Sequence, residues 1–202
     1  MNIVLVRHAT CPQMESVLLG RNIDGPLNER GEGQARFVAQ RLLAFPHVVI
    51  ESSPRRRARH TAGIIASQRD TVVRIVPQMD ELDFGRWSGQ SFDALAADPQ
   101  WRRWNKYRGV SRTPAGDSIR DVQERALTHF RKLEQTFDQE TIVIVTHAEV
   151  IRSVVLHALQ APIDDYCRFE IGAASLTRLT VEGAELRLES VNEQAASLRL
   201  TA

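Results

Sequence analysis

The chain has 202 residues, 43% of them apolar and 25% charged, and its 26 lysines and arginines against 25 acidic residues leave a formal net charge of +1. This is ordinary globular composition, which excludes disorder as the organising state, and a near-neutral balance gives no electrostatic footprint for nucleic acid. Apolar runs of only a few residues exclude a membrane span and leave no signal-peptide core, so a single domain over residues 1–202, cytoplasmic in location, is the expectation.

In chain order, Ile3 to Val6 is a continuous apolar run, as in a strand covered on both faces, and it leads straight into Arg7 and His8. After Asn28, the residues Ala35, Val38, Ala39, Leu42 and Leu43 recur at helical spacing until Pro46 closes the segment. Val48 to Ile50 is a second buried run. Ala58, Ala62, Ile65 and Ala66 then form a second helical face, weakened by Gly63. A third run, "VVRIVP", is shorter. Between residues 78 and 117 the periodicity fades among Gly85, Gly89, Pro99, Gly109, Pro114 and Gly116, which predicts an insertion or lid.

Periodicity returns after Asp117, where Ile119, Val122, Ala126, Phe130, Leu133 and Phe137 make the clearest amphipathic helix in the chain. "TIVIVTH" then repeats the opening pattern, with Ile142 to Val145 ending at His147, and Val150, Ile151, Val154, Val155 and Leu159 follow as a helix. Strands near 166–171, 175–180 and 185–191, with the turn "VEGA" before the last, complete the reading. Alternating strands and helices predict an α/β fold with a mainly parallel sheet and helices on both faces.

In such sheets ligands bind outside the carboxyl ends of the strands. His8 and His147 both follow buried runs directly, so neighbouring strands would turn both imidazoles into one crevice. "SSPRRRARHTA" puts Arg55, Arg56, Arg57 and Arg59 at the same edge as Arg7. Guanidinium groups pair with phosphate oxygens in a bidentate fork, so arginines converging from two strand ends form a dianion clamp. Arg57, one turn into the helix on the strand side, is the candidate, and Arg55, Arg56 and Arg59 read as a solvated face. The other histidines, His47, His60, His129 and His157, read as structural or solvated. Cys11 and Cys167 are too few for a disulfide scaffold. Neither has an arginine six residues on, where Val17 and Ala173 stand, so neither reads as a phosphatase nucleophile.

"LVRHA", "SSPRRRARHTA", "ELDFGRWSG", "PAGDS" and "VIVTHAEVIR", in this order and with "IDGPLNERGEGQA" between the first two, resemble the histidine phosphatase superfamily, the phosphoglycerate mutase-like group. The resemblance covers most of the chain and implies a three-layer α/β/α sandwich acting on a small-molecule phosphate monoester, without a metal or other cofactor and with neither nucleic acid nor membrane as partner. It implies His8 as the nucleophile, Arg7 and Arg57 as phosphate clamps, His147 as the second site histidine and Glu81 as the proton donor, with Ala148 beside the phosphate. This chain departs from the family pattern at several positions: Ala9 replaces the usual glycine, Thr10 a frequent glutamate and Met14 a frequent asparagine. Ala148 and Glu149 stand where a glycine pair is common, and an anionic Glu149 facing the site would oppose a phosphate.

The compact segment after Glu81 and the short end after the last strand resemble phosphatases more than mutases, and "TPAGDSIRDVQERALTHF" looks most like the α-ribazole phosphatases of cobalamin assembly, although related broad-specificity sugar and nucleotide phosphatases share much of it. Trp87, Trp101, Trp104 and Tyr107 are interleaved with Arg102, Arg103, Lys106, Arg108 and Arg112, a mixture suited either to a nucleotide-like monophosphate or to anchoring the lid. Arg21, Trp104 and Tyr107 are the candidate substrate contacts. Two other readings stay open on the residues alone: a metallohydrolase with His8, His147 and Glu81 as ligands, and a module that binds phosphate esters without turning them over.

Overall fold

A computed structural model describes residues 1–137, 140–183 and 185–194. Its centre is a six-stranded sheet built from β1 (Asn2–Arg7), β2 (Val48–Ser52), β3 (Val73–Ile75), β4 (Thr141–Thr146), β5 (Leu176–Glu182) and β6 (Glu185–Glu193), in the order β3-β2-β4-β1-β5-β6. The first four strands run parallel, and β5 and β6 are antiparallel additions at the β1 edge.

Side-chain alternation along the strands divides the core into two. Val4, Val6, Ile50, Val143 and Val145 pack against α1 (Glu29–Leu42) and α2 (Arg56–Ser67) through Ala35, Val38, Ala39, Ala58, Ala62 and Ile65. Ile3, Leu5, Ile142 and Ile144 face α5 (Ile119–Glu134) and α6 (Ala148–Ala158) through Val122, Ala126, Phe130, Ile151 and Val154. Helices therefore cover both faces, giving the three-layer sandwich. Glu51, buried on β2, is paired with His129 of α5 at 2.6 Å, so that histidine is structural.

Caps fix where the helices start. The Asn28 side chain accepts the Gly31 N–H at the head of α1. A Cβ on Gly31 would stand 2.0 Å from the Thr10 carbonyl oxygen, so glycine lets α1 close onto the loop that carries His8. Ser118 and Asp121 cap α5 reciprocally.

One expectation needs correction: residues 166–171 form no strand, since Ile163–Cys167 is a 3-10 helix that places Tyr166 in the core. With β5 and β6 antiparallel and the other four strands parallel, the sheet is mainly parallel, as expected. Ala184 of the "VEGA" turn lies outside the described residues. The lid region holds short helices α3 (Phe92–Ala97) and α4 (Pro99–Lys106), tied to the body by a ring cluster of Phe84, Trp87, Trp101 and Trp104.

Candidate active site

β1 and β4 are adjacent and parallel, with Arg7 opposite Thr146 in register, so the residues after them, His8 and His147, emerge side by side. Their ring centroids are 5.2 Å apart. Sequentially β4 is the last parallel strand, yet it lies between β1 and β2, and this reversal of order opens the crevice at their carboxyl ends. The cavity there has a volume of about 280 Å³, and Arg7, His8, Arg57, Glu81 and Ala148 all line it.

The buried His8 ring lies with Nδ1 2.9 Å from the Ala9 carbonyl oxygen. A carbonyl only accepts, so Nδ1 carries the proton and Nε2 presents a lone pair. Arg57 Nε donates to that Nε2 at 3.2 Å. Burial and the charges of Arg57 and Arg7 hold the His8 pKa well below the ordinary 6.5, so the ring is neutral at neutral pH.

Arg57, in the first turn of α2, is 1% exposed and anchored on all sides. Its Nη2 donates to the Gly20 carbonyl at 2.8 Å and to His147 Nδ1 at 3.3 Å, and its Nη1 reaches the Ile23 carbonyl and Asp24. Asp24 also accepts the Arg56 backbone N–H, supplying the cap that the Arg55 side chain does not give to α2. Arg7 Nη1 donates to the Ile171 carbonyl at 2.6 Å, while its buried Nε has no protein partner.

His147 is the residue just before α6. Since Arg57 can only donate to its Nδ1, Nε2 carries the hydrogen and donates to Ser53 Oγ at 2.7 Å; Ser53 in turn reaches Asp80 at 3.4 Å. Burial, Arg57 and His8 lower its pKa well below 6.5, so it too is neutral. The first N–H groups of α6, beginning at Ala148, have no partner within the helix and form the positive end of its dipole.

Glu81 completes the far wall, with Oε2 3.6 Å from His147 Nδ1. Its backbone is clamped: the N–H goes to Asp80, and the carbonyl accepts from Arg21 at 2.8 Å and Arg125 at 3.1 Å. Burial, then the charge of Glu149, push its pKa from 4.5 up to about 7, so near neutral pH the side chain exists in both forms.

The substrate contacts expected from the sequence are corrected. Trp104 is 2% exposed and does not line the cavity; Trp101, one helical turn earlier, does, together with Phe84 and Phe92. Tyr107 is exposed beneath Lys106 and lies off the cavity. Arg21 is drawn away by Asp80, Asp83 and Asp117, whose carboxylates lie 2.7 to 3.7 Å from it. Arg55 is not a solvated residue either, since it pairs with Asp80 at 2.9 Å, whereas Arg56 and Arg59 are exposed. Sequence reasoning missed Ser53, although it follows the end of β2 just as His147 follows β4. It also missed Asp80 and Arg152.

Of the departures, Met14, Ala148 and Glu149 line the cavity. Ala9 is fully buried, with its N–H donated to Thr61, and Thr10 is tied to Gln34. Among the described residues there is no group of three or more His, Cys, Asp or Glu side chains arranged to hold a metal. His8, His147 and Glu81 converge with guanidinium groups among them, the arrangement of an anion site.

The profile of the histidine phosphatase superfamily (branch 1) matches residues 3–194. Phosphoserine phosphatase 1 of Hydrogenobacter thermophilus is 28% identical over 185 residues, which is 89% of this chain and 86% of that protein. Adenosylcobalamin/alpha-ribazole phosphatase of Salmonella typhimurium is 23% identical over 197 residues, 96% of this chain and 98% of that protein. Among solved structures, a mycobacterial glucosyl-3-phosphoglycerate phosphatase in complex with VO3 superposes with a TM-score of 0.87 at 26% identity, covering 96% of this chain and 99% of the other.

Proposed function

The chain belongs to the histidine phosphatase superfamily and is a phosphatase of it, and we propose that it cleaves small phosphate monoesters through a covalent phosphohistidine on His8. The observation that carries this reading is the fixed tautomer of His8, whose neutral Nε2 lies among Arg7, Arg57 and His147. In the first step Nε2 attacks phosphorus, the P–N bond forms and the P–O ester bond breaks, and protonated Glu81 gives its proton to the leaving oxygen. In the second step the ionised Glu81 takes a proton from water, whose oxygen displaces His8 and releases inorganic phosphate. Splitting one displacement into two lowers the barrier of each. Arg7, Arg57, His147 and the Ala148 N–H stabilise the charge on the equatorial oxygens, where electrostatics supply most of the catalysis.

For the substrate, a phosphate ester with a flat apolar body fits best, because Trp101, Phe84, Phe92 and Leu18 form the outer wall. α-Ribazole 5′-phosphate, with its planar heterocycle, is the leading candidate. A carboxylated ester such as phosphoserine is the second reading, favoured by Arg152, which lines the cavity with its Nε unpartnered. The test is phosphate release from both esters and a sugar phosphate, in EDTA, by wild type and His8→Ala. Turnover that survives EDTA and vanishes in the variant is expected. Loss of activity in EDTA would favour metal catalysis, and binding without turnover would leave a phospholigand module.

A further inference from the structure

Glu149 occupies a position where the family's motif commonly carries glycine, and its carboxylate lines the same cavity as Glu81. It is held there by an elaborate counter-ion. Arg108, 6% exposed, donates to Glu149 at 3.2 Å and lies between two rings, 4.0 Å from the Trp104 centroid and 3.8 Å from that of Tyr166. Asn105 of α4 accepts from its other terminal nitrogen. A guanidinium stacked on two aromatic faces and bonded at both ends has one rotamer, so it fixes the carboxylate it pairs with.

We propose that Glu149, held by Arg108, is a positioning residue that keeps the transferable proton on Glu81 and so sets the upper pH at which ester cleavage runs. The inference rests on the assignment of Glu81 as proton donor. The groups around Glu81 are His147 and the cations Arg7 and Arg57 on the phosphate side, Arg21 and Arg125 at its carbonyl, Asp80 at its N–H, and Glu149 from α6. The cations favour the ionised carboxyl. Glu149 is the negative charge that opposes them, and it reinforces the effect of burial. Arg108 Nη1 stands 3.2 Å from the Glu149 carboxylate and fixes where that carboxylate sits in the cavity.

The experiment is the pH dependence of kcat/KM for an alkyl phosphate and for p-nitrophenyl phosphate, whose leaving group departs without a proton. Glu149→Gln is expected to move the alkaline limb for the alkyl ester acidward by about one pH unit, with much less effect on the nitrophenyl ester. Arg108→Gln with Glu149→Gln leaves no orphan buried charge and is expected to move the limb the same way, because it still removes Glu149, the largest charge effect on Glu81. A uniform loss on both esters with the limb in place would assign the ion pair to structure alone and overturn the inference. If the wild-type limb persists in Glu81→Gln, the proton-donor assignment itself is wrong and the inference falls with it. A limb that Glu81→Gln removes but Glu149→Gln leaves unmoved overturns only the inference.

Discussion

The inner and outer halves of the cavity are built differently. The inner half, Arg7, His8 and Arg57 with the fully buried His147 bonded to Arg57, comes from the ends of β1 and β4 and the first turn of α2, and each side chain is bonded to a backbone carbonyl or to another site residue. The outer half, Trp101, Arg108 and Glu149, depends on how α4 packs against the body through a cluster of rings. The first half inherits its geometry from the sheet register, and the second from side-chain packing. In the proposed mechanism phosphate chemistry is thus anchored to the sheet edge, while proton supply and substrate choice fall to a region that side-chain changes can retune.

The largest effect that would sharpen this contrast is expected from Glu81→Gln, which sits on the boundary. Alkyl ester hydrolysis should fall by about 10²- to 10⁴-fold, with a far smaller loss on p-nitrophenyl phosphate, as read from steady-state kcat/KM. Wild-type kcat/KM should decline above about pH 7, since the first step needs the protonated acid, whose pKa is about 7. The variant should lack that limb. The same shift carries a sign for stability: the folded carboxyl holds its proton up to about 7 while the unfolded one releases it near 4.5. Its contribution is therefore complete below pH 4.5 and lost as pH rises through 7, and urea titrations should show the slope flattened in the variant.

Next in size, Trp104→Ala should cost about 3–5 kcal/mol in urea unfolding, as expected for a buried aromatic, while raising KM alike for every ester. An increase confined to aromatic esters would restore Trp104 to the substrate wall and break the division drawn above. Ser53→Ala removes the acceptor that holds His147 and should lower kcat by about tenfold, with KM little changed. A fall in kcat no larger than that of an exposed control would mean that Arg57 alone holds the ring. The smallest effect is expected from Trp101→Ala, about a fivefold increase in KM for an aromatic ester over a sugar phosphate; equal changes for both would remove the flat-ring reading.

How far the sequence could be read follows the same division. Buried runs ending in histidine placed His8 and His147 at one sheet edge, because a strand covered on both faces must be apolar along its length and a polar residue marks its end. The sequence singles out Arg57 as lying one turn into the helix on the strand side; it stands in the first turn of α2 and does face the site. Glu81 came from the motif resemblance, with no periodicity to locate it. The lid was read only as a region: Trp101 and Trp104 lie one turn apart on α4, and the packing of α4 against Phe84 and Trp87 decides which of them meets the cavity. Arg21 was misplaced because Asp80, Asp83 and Asp117, far from it in sequence, converge on it only after folding.

By itself the sequence determined the layered α/β architecture and brought Arg7, His8, Arg57 and His147 to one sheet edge as the proposed phosphate site, because strand and helix periodicities are local and polar residues at strand ends report on the sheet edge. The tertiary structure alone decided the tautomers of His8 and His147, the pairing of Arg108 with Glu149 and the elevated proton affinity of Glu81. Each of these depends on burial and on charges brought together from distant parts of the chain, and neither quantity exists before the core has closed.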